Sequence, residues 1–171
     1  VEYDITSNHV DCFSVLGLAR EAAATFGRDF CPDPVTETGS REDVRDYVSV
    51  EVKNYDLCAR YTARLVKNVK IAPSPKWMQR RLMAQGIRPI NNIVDITNYI
   101  MMAYGQPMHC FDADMVKGHH IIVKDKNEGK KFVTLDGEEH ILGEHDLAIC
   151  NEEDPMCIAG VFGGKGSGTY E

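Results

Sequence analysis

No apolar run in this sequence approaches the ~18 residues that a membrane-crossing helix needs. No basic segment leads into an apolar one either, so neither a spanning helix nor a secretory signal is expected. Paired cysteine motifs are missing as well. The six cysteines, Cys12, Cys31, Cys58, Cys110, Cys150 and Cys157, are scattered without a CxxC pair, and no histidine pair has the spacing of a zinc site. Reduced, mostly buried thiols and no metal are therefore expected. His119 and His120 are the only adjacent histidines, and neighbours on an extended chain point to opposite faces, which argues against shared ligation. Positive charge is in deficit: 19 Lys and Arg against 26 Asp and Glu give a net charge of −7. That balance disfavours wrapping of long nucleic acid, which depends on many cation–phosphate contacts, but leaves room for a local contact to one nucleotide end.

Two catalytic signatures are also absent. There is no Gly-x-Ser-x-Gly elbow for a serine nucleophile. The stretch "GVFGGKGSG" (160–168) holds five glycines in nine residues, yet it fails as a nucleotide phosphate loop. Ala159 stands where that loop requires glycine, five positions before Gly164-Lys165, and Gly166 stands where it requires Ser or Thr. These glycines either make a turn or let a ligand approach bare backbone N–H groups. Internal repeats and low-complexity tracts are missing too.

What is present suits one compact domain. A chain of 171 residues with 43% hydrophobic and 26% charged residues can bury a core without a metal or disulfide staple. Asp11 is placed to cap a helix running to about Phe26, with Phe13, Leu16, Ala19, Ala23 and Phe26 along one stripe and Gly27 beyond its end. "YVSVEVKN" alternates Val48, Val50 and Val52 with polar residues, the pattern of a half-buried strand, and "ARYTARLVKNVKI" reads as a second extended run. Ser74-Pro75 predicts a helix start and Gly86 its stop, giving a short helix over Lys76 to Gln85. In "NNIVDITNYIMMAYGQP", Ile93, Ile96, Ile100, Met101 and Tyr104 recur at helical spacing, with Thr97 inside the stripe, Asn98 beside it and Gly105 as the stop. Short strand-like runs follow: "HIIVK", "KFVTL", "EHILG", "DLAIC" and "MCIAGVF", with Asp136-Gly137 as a hairpin turn. Helices in the first two thirds and mainly antiparallel strands after them predict an α+β fold.

Single residues leave function open. Thr97 is either a satisfied core threonine or part of a pocket wall. His109, in "GQPMHCFD", is either a loop histidine bonded to backbone or a group aimed at substrate. A Cys–His nucleophile pair is poorly supported, because Cys110 is its immediate neighbour and adjacent side chains diverge.

Taken together, "RYTARLVKNV", "SPKWMQRRLMAQGIRPINNIVDITNYIMMAYGQPMHCFD", "TLDGEEHIL" and "IAGVFGGKGSG" resemble the editing module in the beta subunit of bacterial phenylalanyl-tRNA synthetase, and "NHVDCFSVLGLAREAAATFG" is similar to the segment that precedes it. The resemblance covers most of the chain in the right order. It implies a leading segment over 1–45 and the editing module over 46–171, truncated at its C-terminal end. It further implies a cytoplasmic enzyme whose module receives the aminoacylated 3′ end of tRNA(Phe) and hydrolyses wrongly attached tyrosine. By motif position, Thr97, Asn98, His109 and Gly163 look like residues lining the pocket. Thr97 and Asn98 would hold the ammonium group and a bridging water, His109 would position the attacking water or the ribose, and the Gly163 amide would face the ester carbonyl. The partners implied are the alpha subunit and the remaining beta-subunit domains; ATP and Mg2+ belong to the whole enzyme's ligase reaction, and no cofactor is implied for this stretch.

Two departures from the family pattern stand out. Cys110 replaces what is commonly alanine, and the family's glutamate that reads the tyrosine hydroxyl falls beyond Glu171, which does not match it. An apolar phenylalanine pocket rejects an added hydroxyl only about a hundredfold, which gives a reason for a second, hydrolytic sieve. Three other readings remain open on the residues alone: a non-catalytic module that docks the tRNA end or a neighbouring domain, a free-standing hydrolase of small amino-acid esters, and a purely structural role.

Overall fold

The computed structural model describes residues 3–37, 39–166 and 168. Contacts group the chain into two units, Val1–Gly39 with Ile71–His109 and Ser40–Lys70 with Cys110–Glu171. The first is helical and the second carries the sheets, so the class is α+β, as expected.

The first unit enters through a 3-10 turn, Val10–Cys12, and continues into helix α1 (Val15–Thr25). Its cap is Ser14, whose Oγ accepts from the Gly17 amide at 3.0 Å, and not Asp11 as the sequence predicted. The intervening turn leaves Asp11 and Phe13 outside the helix, so helical spacing no longer governs where Phe13 points. Phe13 and Phe26 are exposed accordingly, and the buried position on α1 is Gly17. A Cβ at Gly17 would lie 1.8 Å from the Asp11 carbonyl oxygen, which excludes any side chain there.

Helix α2 (Lys76–Ala84) starts after Pro75 and stops at Gln85, with Gly86 at φ +78° beyond it. Ser74 does not cap it: the hydroxyl is buried and donates to Asp95 Oδ2 at 2.5 Å. Met78 and Leu82, one turn apart, are the buried pair of α2, which packs on α3 (Asn92–Tyr104). Helix α3 ends at Gly105 as its sequence predicts, and its start is set by an Asn91 cap. Asn91 Oδ1 accepts from the Ile93 and Val94 amides, and Gly105, at φ +79°, donates to the Met101 carbonyl at 2.8 Å. The predicted apolar stripe is only half-buried, with Ile96 and Tyr104 exposed; the one fully buried residue of α3 is Asp95.

In the second unit a five-stranded sheet runs β1-β2-β5-β6-β7, from β1 (Ser49–Val52), β2 (His120–Lys124), β5 (Ala148–Cys150), β6 (Pro155–Ile158) and β7 (Phe162–Gly163). Only β1 and β2 are parallel; every other pair is antiparallel. The run "HIIVK" is apolar on successive residues because both faces of β2 are covered. Ile121 and Val123 join one cluster with Val116 and Ile149, while Ile122 joins the other with Phe132, Leu142 and Ala148. Strands β3 (Lys131–Val133) and β4 (Glu139–Ile141) form the predicted hairpin, with Gly137 at φ +92° in the turn. The extended run over 59–71 makes no strand, contrary to expectation. Asn68 sits at φ +58° within it, a left-handed kink that interrupts a ladder, although Tyr61 still packs on the first cluster.

Candidate functional site

Thr97 and Asn98 are successive half-buried residues of α3, about two turns before its glycine stop. The Thr97 hydroxyl donates to the Val94 carbonyl at 2.8 Å, which fixes its rotamer and leaves the oxygen's lone pairs as an acceptor. The Asn98 amide, by contrast, has no hydrogen-bond partner among the described residues and offers both a donor and an acceptor. What holds this stretch in place is Asp95, which sequence reasoning missed. Its Oδ1 accepts from the Ile90 amide at 2.8 Å and its Oδ2 from Ser74, tying the segment before α2 and the start of α3 together. Asp95 lies on the side of α3 opposite the Ile93, Ile100 and Tyr104 stripe, so helical spacing gave no signal for its burial.

His109 ends the same unit, five residues after α3. The residue is exposed overall, but protein packed around its ring lowers its pKa below the ordinary 6.5, because burial disfavours the charged form. At neutral pH the ring is therefore neutral, with one N–H donor and one acceptor nitrogen.

Gly163 belongs to the second unit and is buried in β7. The next residue, Gly164, donates to the Met156 carbonyl at 2.8 Å, so Gly164 and Met156 are a hydrogen-bonded pair and Gly163 with Cys157 is the open pair between. The Gly163 amide and carbonyl thus point away from β6, and the carbonyl accepts from the Leu135 amide at 3.1 Å. Gly164 has a packing reason of its own: a Cβ would meet the Met156 oxygen at 2.6 Å and the Phe132 ring at 2.8 Å. The glycine-rich stretch is a strand-turn-strand and not the strand-loop-helix of a nucleotide phosphate site, with Gly160 at φ +71° turning β6 into β7. Ser167 and Glu171 lie outside the described residues.

All six cysteines are free: Cys12, Cys150 and Cys157 are buried, Cys58 and Cys110 half-buried, and Cys31 exposed. Burial pushes the Cys157 thiol up to about 11, far from a reactive thiolate. Among the described residues one trio of possible ligands, His9, Asp11 and Cys12, comes within 4.8 Å. Burial, then the Asp11 and Glu21 carboxylates, raise the Cys12 pKa, which opposes the thiolate that metal binding requires. No helix among the described residues is long and apolar enough to cross a membrane.

Residues 57–171 match the family model of the B3/4 domain. The chain belongs to that family. Its B3/4 domain therefore includes Thr97, Asn98, His109 and Gly163. Over the whole chain it is 48% identical to the phenylalanine–tRNA ligase beta subunit of Bacteroides fragilis and 44% identical to that of Staphylococcus saprophyticus, covering 21% of each. The corresponding subunit of Clostridium acetobutylicum is 47% identical over the whole chain, which covers 22% of it. The chain thus spans about a fifth of the length of these relatives and corresponds to the segment that carries their B3/4 domain.

Proposed function

We propose that this B3/4 domain hydrolyses the ester of tRNA(Phe) mischarged with tyrosine, as a proofreading part of a phenylalanine–tRNA ligase beta subunit. The observation that carries the reading is that one unit holds Thr97, Asn98 and a neutral His109 in a chain 48% identical to such a subunit. The Thr97 oxygen and the Asn98 carbonyl accept from the tyrosine ammonium, and the Asn98 amide steadies a water. His109, neutral at pH 7, accepts from the attacking water or holds the terminal ribose. A fixed N–H donor to the ester carbonyl stabilises the negative charge that develops there, the role that the family resemblance gives the Gly163 amide. An aminoacyl ester is already activated, so holding water and carbonyl in register suffices without a strong base. Choice of tyrosine over phenylalanine rests on a hydroxyl-reading group beyond these four residues. The alpha subunit, the remaining beta-subunit domains and tRNA(Phe) are the partners, the setting is the cytoplasm, and ATP with Mg2+ serves aminoacylation elsewhere in the enzyme.

Release of tyrosine from Tyr-tRNA(Phe) tests the reading, measured with the intact ligase. His109→Ala is expected to slow release roughly a hundredfold, the scale of losing a positioned reactant. Release at the unaltered rate would remove His109 from the reaction.

A further inference from the structure

Eight of the nineteen lysines and arginines fall between Asp56 and Asp95, a stretch of the sequence with no acidic residue at all. The rest of the chain carries eleven cations against all 26 acids. Four of the eight, Lys76, Arg80, Arg81 and Arg88, are exposed on α2 and the loop after it, and none forms an ion pair among the described residues. The same face holds the chain's single tryptophan. Trp77 is 49% exposed, although a tryptophan of a stable fold is ordinarily well covered. Its ring meets Tyr99 of α3 edge-on, with centroids 5.4 Å apart. The Arg81 guanidinium lies 5.3 Å from the Trp77 centroid and 6.0 Å from that of Tyr99, and its Nη1 donates to the Tyr99 hydroxyl at 2.7 Å. That bond engages one of five N–H groups, and Arg81 is an exposed residue. Beside the cluster Arg81, Tyr99, Ala84 and Ala103 border a cleft of about 380 Å³, within the ~300–1,000 Å³ of small-ligand pockets.

We propose that this face of α2, completed by Tyr99, is a landing platform for single-stranded RNA. The exposed Trp77 ring stacks on an unpaired base, the Arg81 fork binds the adjoining phosphate, and Lys76, Arg80 and Arg88 follow the backbone. Aromatic faces set among unpaired cations are what sequence-tolerant binding of single strands requires. The overall charge of −7 does not oppose this, because screening confines the interaction to groups within about 8 Å of the phosphates at physiological salt. The inference deepens the tRNA reading above, on which it rests, by assigning the unpaired end a foothold on α2 and Tyr99.

The test uses the 171-residue chain and a short, labelled, non-aminoacylated single-stranded oligoribonucleotide. Binding is followed by anisotropy of the label and by fluorescence of Trp77, which is the chain's sole indole. Quenching on binding is expected, with affinity falling as salt rises by a log–log slope of about −0.7 for each phosphate neutralised. Arg80→Gln should reduce that slope by roughly one such step. Trp77→Ala should lose on the order of ten- to a hundredfold in affinity, and Arg81→Gln, at an exposed position, gives a second readout should Trp77→Ala disturb the fold. Absence of binding at low salt, or equal binding by all three variants, would overturn the platform. An acidic peptide that binds as tightly, with the same losses, would assign the face to a protein partner instead. Because the probe carries no aminoacyl ester, the two readings separate: probe binding together with no tyrosine release in the Tyr-tRNA(Phe) assay sustains this inference and sinks the editing reading, and release without probe binding does the reverse.

Discussion

Asp95 is the residue on which local stability turns. Its two oxygens satisfy Ser74 and the Ile90 amide, and the side chain is fully buried. Asp95→Ala strands those two donors, and each buried donor without a partner costs about 1–3 kcal/mol. A matching loss in chemical denaturation is expected, and a loss below ~0.5 kcal/mol would show that water replaces the carboxylate. His109 makes a prediction about pH. Burial places its folded pKa below the ordinary 6.5, so between those values the unfolded chain binds more protons. The neutral ring's contribution to stability is therefore complete above about pH 6.5 and disappears as pH falls through the folded value. Tyrosine release that depends on the neutral ring should show an acid limb below pH 6.5 and a plateau above it, and a rate that rises on acidification would contradict the assignment.

At the scale of elements, α3 is defined by its two ends. The side chain of Asn91 accepts from two otherwise unpaired amides, and Gly105 adopts a left-handed backbone that closes the helix before the loop to His109. Asn91→Ala is expected to cost about 0.5–2 kcal/mol, the usual worth of a cap, measured by thermal melting of the chain. Gly105→Ala should cost about 1 kcal/mol for the left-handed conformation, and a Cβ there would also press on Ser14 at 3.4 Å. Since Gly105 leads the chain toward His109, its variant should also lower tyrosine release more than its stability loss accounts for.

At the scale of the molecule, stability is uneven within the second unit. Strands β2 and β5 lie inside the sheet, with buried side chains on both faces, whereas residues 59–70 lack ladder bonds despite their alternating pattern. Amide exchange should be slowest in Ile121–Val123 and Ala148–Cys150 and faster by orders of magnitude over 59–70. Equal protection of the two regions would mean that the extended segment is held by contacts other than a ladder. Charge is equally uneven, with the cations of 57–94 free of intervening acids, so salt should act on this chain through that stretch first.

Local spacing suffices for the features that nearby residues settle: the Gly105 stop of α3, the short late strands, the Asp136-Gly137 hairpin, and the motif words that mark the family. These depend on backbone donors, acceptors and dihedral angles a few residues apart, which spacing displays. Packing of distant segments sets the rest: Ser14 and not Asp11 caps α1, β1 pairs in parallel with β2, and Ser74 serves Asp95, 21 positions away, and not its own helix. It also decides that Gly164 makes room for Phe132 and that Trp77, Arg81 and Tyr99 form one cluster. Each of these rests on which distant groups meet, and burial, hydrogen-bond satisfaction and steric room are properties of the meeting that no local pattern carries.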